Sequence, residues 1–347
     1  MSVPSIAVYG ANGHTGQFVV RELERRGCRA VPMGRSGRPA RGPGTVDTER
    51  SWRAALCDDP DALDRALHDT DAVINCAGPF LDTAPALIEA ALRCGIHYFD
   101  ITAEQRSVRQ SLATYHRDAE RRGTVVLPAL AFYGGLADLL AADLTRGLGC
   151  IDSLHIAVAL DYWHPTEGTR RTGQRNTARR LVVTDGHLAP IAQPAPVRLW
   201  NFSEPFGQQE VVAVPLAEMI TLHRHVTVRD ACSYMNLAPL RDLEDERTPR
   251  PAASDPTGRS SQRFLMEVHA KGADGSREIS VSGQDIYAVT APIVVEGCLR
   301  VLAMHAVRGG TYAPAELFDA TDFLTALSPH LTVNRSRQGR PEMASHG

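Results

Sequence analysis

Short apolar runs and helical patterns alternate through the first part of the chain. Residues 6–9 (Ile-Ala-Val-Tyr) are apolar, and residues 17–23 space their apolar positions as one face of a helix. Further runs at 29–34, 72–76, 96–102 and 124–127 read as strands. Residues 72–76 lack a polar alternation, as expected of a parallel strand covered on both faces. Helical patterns lie between the runs, at 61–67, from Asp82 or Thr83 to Gly95, and up to Gly123. This alternation over residues 1–150 predicts an α/β Rossmann domain with a doubly wound parallel sheet. The texture changes near Leu154. Runs at 153–160, 211–214, 264–268 and 278–281 read as strands of a second sheet, the last two flanking a Gly272 to Gly275 hairpin turn. Residues 151–284 are thus expected to form an inserted α+β domain on a mainly antiparallel sheet, serving substrate and dimerisation. Residues 245–263 read as a long loop, as a lid or merely mobile, and 334–347 as a frayed tail.

Three glycines, Gly10, Gly13 and Gly16, separate the first strand from the first helix. Strand, glycine turn and helix in that order are the context of a dinucleotide site. Gly10 frees the chain to turn, Gly13 lets a pyrophosphate approach the backbone, and Gly16 lets helix and strand pack closely. Asn12, His14 and Thr15 belong to the same turn, where the helix dipole favours an anion. The end of the second strand selects the cofactor. No Asp or Glu stands between Arg29 and Val46, whereas Arg35, Ser36, Arg38 and Arg41 do. A carboxylate there would take the ribose hydroxyl of NAD, and an arginine takes the 2′-phosphate of NADP. A solvated basic loop is the plain alternative. NADP is the expected cofactor.

Composition narrows the class. Formal charge is −3 with no block of like charge, which argues against nucleic acid. The start has no basic leader, and the apolar stretch at 290–307 is interrupted by Glu296, Arg300 and His305, so no membrane span is expected. Seven scattered cysteines without Cys-x-x-Cys spacing read as reduced thiols of a cytoplasmic protein, with no metal. His223 and His225 lack a third ligand.

The motifs at 9–16, Gly34-Arg35-Ser36, 75–80 and 97–104 resemble the saccharopine dehydrogenase-like family of NADP-binding oxidoreductases. Residues 168–172 and 285–291 are similar to later segments of that family. The resemblance implies that residues 285–333 return as helices onto the Rossmann domain. It also implies that the loop Cys76, Ala77, Gly78, Pro79 and Phe80 lies along the cofactor. Members act on C–N bonds of amino-acid conjugates, and relatives reduce enoyl groups. An oxidoreductase acting on a C=N or C=C bond of a small anionic substrate is therefore expected, as a homodimer. A non-catalytic NADP sensor or scaffold is the alternative.

The source of the proton is the open question. Lys271 is the only lysine, and no tyrosine has lysine four positions on, which excludes Tyr-x-x-x-Lys chemistry. The polar stretch 161–175 follows a buried strand and offers His164 and Tyr162 as proton carriers. Its Arg170, Arg171 and Arg175 could clamp an anion, or form a solvated helix face. Tyr133, beside Gly134 and Gly135, stands where the domains meet and is a further catalytic candidate, or a packed corner. Asp100 and Glu104, at the end of a strand, could hold a substrate amine or cap a helix.

Overall fold

The computed structural model describes residues 3–36, 52–273 and 275–335. Arg38 and Arg41 lie outside the described residues. Strands β1 (Ser5–Tyr9), β2 (Arg29–Gly34), β3 (Arg53–Ala54), β4 (Ala72–Asn75), β5 (His97–Asp100) and β6 (Val125–Leu127) form a parallel sheet. β1 and β4 are buried at every position, because helices cover both faces. The glycine turn leads from β1 into helix His14–Arg25. Helix Phe80–Cys94 follows β4 and ends on Gly95 in the left-handed conformation, as the sequence predicts.

A second sheet holds β7 (Ile151–Leu160), β8 (Leu181–Thr184), β9 (His187–Pro190), β10 (Val197–Asn201), β11 (Gln208–Ala213), β12 (Val228–Asn236), β13 (Arg263–Gly272) and β14 (Gly275–Gln284). Its pairings are antiparallel except β12 beside β7. The chain then returns. Helix Ile286–Ala303 packs on helix His14–Arg25, and β15 (Gly310–Thr311) joins the first sheet beside β6, giving the order β15-β6-β5-β4-β1-β2-β3. The class is α/β with a second mixed sheet.

Two expectations need correction. Residues 334 and 335 are not tail: they belong to β16 (Thr332–Arg335), which pairs with β14, because an open sheet edge supplied backbone partners that composition does not reveal. Residues 245–263 are a loop but a pinned one. Arg170 donates to the carbonyls of Asp245 and Thr248, Arg21 to that of Thr257, and Ser260 donates its amide to Asp285. Helix Ile286–Ala303 is long and apolar enough to span a membrane by composition. Here it lies inside, with Val289, Ile293, Val294 and Cys298 fully covered. One continuous core runs from Val19 and Leu23 through Phe132 and Val289 to Phe264 and Val268, so the two sheets share an interior.

Candidate active site

The glycine turn is packed as its sequence spacing requires. Gly10 has φ +83°, and its amide and that of Ala11 donate to the Met33 carbonyl at 3.0 and 3.2 Å. A Cβ on Gly16 would lie 2.2 Å from the Gly10 carbonyl oxygen, so only glycine fits. Gly13 is the extended residue before helix His14–Arg25. No side chain caps that helix, and its first turn carries no acid. Its amide-rich end is therefore electrostatically ready for an anion. At the same sheet edge Arg35 and Ser36 are exposed. The Trp52 ring lies against Gly34, and its Nε1 donates to the Ser36 carbonyl at 3.1 Å.

The loop after β4 is held from three sides. Asn75 Oδ1 accepts the Ala77 amide at 3.0 Å, and its Nδ2 donates to Thr83 and Tyr98. Thr83 in turn donates to the Ala77 carbonyl. Phe80 donates its amide to Glu104 Oε1 at 2.7 Å. Ala77 abuts Gly10 on one side, and Thr172 of helix Glu167–Arg175 touches Gly78 on the other. The loop is thus clasped between the glycine turn and the second domain.

A cavity of about 740 Å³ opens there, at the carboxyl ends of the parallel strands. Thr15, Cys76, Gly78, Phe80 and Glu104 line its first-domain side. Phe132, Tyr133, Trp163 and Tyr287 build an aromatic wall opposite. Tyr133 stacks on Trp163 with centroids 5.6 Å apart. The Tyr287 hydroxyl accepts from Trp163 Nε1 at 2.7 Å and from the Thr166 amide, and bonds Thr169. Tyr133, extended at φ −84° and ψ 135°, and Gly134, at φ +89°, form a non-helical kink before helix Ala137–Thr145. The Tyr133 hydroxyl is buried without a hydrogen-bond partner, and burial pushes its pKa up, so the proton stays on oxygen. His14 meets Phe18 and Tyr287 edge-on, and burial lowers its pKa, which keeps the ring neutral.

The acids at this edge divide sharply in role. Asp100 is fully buried and absent from the cavity wall. It accepts from the Ala129 and Thr102 amides and from Tyr98, and burial raises its pKa to about 6. By holding Ala129, a non-glycine residue at φ +58°, it shapes the approach to Tyr133. Glu104 is 1% exposed yet lines the cavity, and its Oε2 has no partner.

The arginines expected to form a clamp are dispersed. Arg170 reaches the cavity wall, but its guanidinium is spent on the carbonyls of Leu243, Asp245 and Thr248. Arg171 pairs with Glu167 and Arg175 with Asp82, both outside the cavity lining. Arg171 and Arg175, four residues apart, share one face of this nine-residue helix, whereas Thr169, Arg170, Thr172 and Gly173 line the cavity. His164 and Tyr162 pack on each other at 4.5 Å, and Tyr162 bonds Ser261. Neither lines the cavity.

Arg180 does, and the sequence reading passed over it. Among the described residues its guanidinium has no hydrogen-bond partner. Burial lowers its pKa, while the charge of nearby Glu218 opposes that shift. It lies one residue before β8, in a stretch without clear periodicity, which hid it. Trp163 and Tyr287 were also missed as wall residues. Their only signal was an aromatic within each of two segments already noted for other reasons.

Residues 6–127 match the saccharopine dehydrogenase NADP binding domain family. The chain is 28% identical over 145 residues to a probable mitochondrial saccharopine dehydrogenase-like oxidoreductase of Arabidopsis thaliana, covering 38% of this chain and 32% of that protein. It is 28% identical over 151 residues to a trans-acting enoyl reductase of Mycobacterium tuberculosis, covering 41% and 35%. The matches thus span about a third of the length of these relatives. Apo saccharopine dehydrogenase (L-Glu forming) of Saccharomyces cerevisiae has the same fold, with a TM-score of 0.64, 12% identity, and coverage of 96% of this chain and 100% of that one.

Proposed function

We propose, from the match of residues 6–127 to the saccharopine dehydrogenase NADP binding domain family, that the chain is an NADP-dependent reductase of a C=N or C=C bond in a small anionic substrate. The observation that carries this is Arg180, a half-buried cation without a hydrogen-bond partner in a cavity with one aromatic wall. A desolvated guanidinium gains most from a carboxylate or phosphate that meets its paired donors. NADP, when bound, supplies the hydride. The open end of helix His14–Arg25 and Arg35 would hold its phosphates, and the 76–80 loop would lie along it. The aromatic wall excludes water from the reacting bond, and Arg180 orients the substrate's anionic end. The reading includes a cytoplasmic homodimer, supported by seven unpaired thiols in the first case and to be tested by sedimentation in the second.

The test is NADPH oxidation, followed by absorbance, against panels of imines and enoates with and without a carboxylate. Turnover restricted to anionic compounds, with KM raised about tenfold to hundredfold in Arg180→Ala and NADPH affinity unchanged, is the expected outcome. NADPH bound tightly but never oxidised would make the chain a sensor. Binding weaker than millimolar would defeat the cofactor assignment itself.

A further inference from the structure

Among the acids lining the cavity, Glu104 is buried with an unpartnered carboxyl oxygen. It stands just before helix Gln105–Thr114, and its side chain does not cap that helix. Instead the carboxyl turns to the 76–80 loop, where Oε1 accepts the Phe80 amide at 2.7 Å. Oε2 is left without a partner in a residue 1% exposed. A buried carboxylate oxygen with no donor costs far more than a neutral hydroxyl with no acceptor, so the orphaned position favours the protonated acid.

The backbone around it is rigid. Gln105 donates to the Leu181 and Leu216 carbonyls at 2.8 and 2.9 Å and accepts the Leu181 amide at 2.7 Å. Ala103 accepts the Ala217 amide. Glu104 and Arg180 are the chain neighbours of this stitched pair, Gln105 and Leu181, so both reach the cavity from fixed backbone.

We propose that Glu104 is the proton-transferring residue of this cavity, with Oε1 anchored by the Phe80 amide and Oε2 carrying the proton to the substrate. This rests on the cavity being the substrate site. As the carbon of the C=N or C=C bond gains hydride, the π pair moves to the neighbouring nitrogen or carbon. That atom takes the proton from Oε2, Glu104 is left as the carboxylate, and solvent restores its proton. In the reverse direction the carboxylate accepts it. The charged surroundings fit the task. Burial pushes the Glu104 pKa up to about 7, and Asp100 from the preceding strand and Asp82 from helix Phe80–Cys94 add to the rise. The Phe80 and Leu81 amides oppose it. Arg175, facing from helix Glu167–Arg175, is already engaged by Asp82. An acid balanced near neutrality is what proton transfer in both directions needs.

Infrared titration of the full chain without cofactor tests the proton directly. The wild type is expected to show a protonated carboxyl band that disappears around pH 7, and Glu104→Gln is expected to lack it. Gln keeps an oxygen for the Phe80 amide, so the loop stays closed and NADPH affinity changes less than threefold. With the compound selected by the NADPH oxidation panel, kcat in Glu104→Gln should fall about 10²- to 10⁴-fold and lose its limb near pH 7. A wild-type minus Glu104→Gln difference spectrum with no carboxyl band titrating near pH 7, or a kcat within threefold of wild type, overturns the proposal. Failure of the wild type to bind NADPH, read separately by titration, overturns the cofactor assignment instead.

Discussion

Substituting Gly16 by alanine is the sharpest perturbation of the glycine turn, because its consequence can be worked from distances. The new Cβ would lie 2.2 Å from the Gly10 carbonyl oxygen and 2.9 Å from the Ala11 Cα. Both are backbone atoms, and the Gly10 and Ala11 amides are tied to the Met33 carbonyl, so neither can swing aside. Helix His14–Arg25 would have to retreat from β1 by roughly 1 Å to restore van der Waals contact. It is stopped on its far side by helix Ile286–Ala303. The cost belongs at the upper end of overpacking effects, about 3 kcal/mol of stability. The same retreat withdraws the helix N-terminus from a bound phosphate, an interaction worth up to ~2 kcal/mol, so NADPH affinity should fall about tenfold or more. Gly13→Ala is the matched control. Its Cβ meets only the Gly10 oxygen, at 3.1 Å, so the fold should lose less than about 1 kcal/mol. The methyl would instead stand where the pyrophosphate approaches, so NADPH binding should fall with little change in melting. Denaturant unfolding and NADPH titration of both variants read the two effects separately. A Gly16→Ala protein as stable as wild type, or a Gly13→Ala protein that binds NADPH normally, refutes the account of the turn.

Arg35→Ala should weaken NADPH much more than NADH in parallel titrations, since only NADPH carries the 2′-phosphate; equal losses would remove Arg35 from the site. Two buried acids should give stability opposite pH slopes, read by denaturant unfolding across pH. Asp100 is raised from 3.8 to about 6, so the folded state keeps its proton longer than the unfolded chain, and stability falls as pH rises through that window, by about 3 kcal/mol at most. Asp100→Asn should flatten that slope; a slope unchanged from wild type would refute the assignment. Glu267 accepts from Trp200 and Ser203 and is held down at about 2 from 4.5, so its contribution is present above 4.5 and lost as pH falls towards 2. Glu267→Gln should lose stability at neutral pH and show a shallower acid limb, and an acid limb as steep as wild type would count against it.

The first domain was legible because its signals are local. An apolar run, glycines at fixed spacing and a helical stripe each specify one element, and a parallel sheet follows from their alternation. The second sheet was legible only in part. β8 and β9 are short, half-exposed strands with weak alternation, and β16 exists because β14 had a free edge to offer. The site divides in the same way. Gly10, Gly13, Gly16 and the 76–80 loop could be read from neighbours in sequence. Arg180 could not, since it is set apart from Arg170, Arg171 and Arg175 only by what those three already bind. The dense polar segment marked a helix whose arginines are already engaged, and a single unengaged arginine outside it lines the cavity.

The contacts that close the cavity explain why similarity to known proteins identifies the cofactor better than the substrate. Asp285, at φ +62°, accepts the amides of Ser260, Tyr287 and Ala288 and so fixes the start of helix Ile286–Ala303. Tyr287, placed by that cap, gathers Trp163, Thr166 and Thr169 on its hydroxyl. Thr166 caps helix Glu167–Arg175, whose Thr172 presses on Gly78 of the loop after β4. The contacts run through residues beyond 127 and enter the matched NADP-binding segment only at the last step, from Thr172 to Gly78. The proposed substrate wall, Tyr133, Trp163, Arg180 and Tyr287, therefore lies outside that segment, while the glycine turn, Arg35 and the 76–80 loop lie within it. Discrimination between substrates resides in the groups that touch them. A relative that shares residues 6–127 can thus keep the glycine turn and exchange the opposite wall, and among the described residues Glu104 is the one acid of the matched segment that lines the cavity.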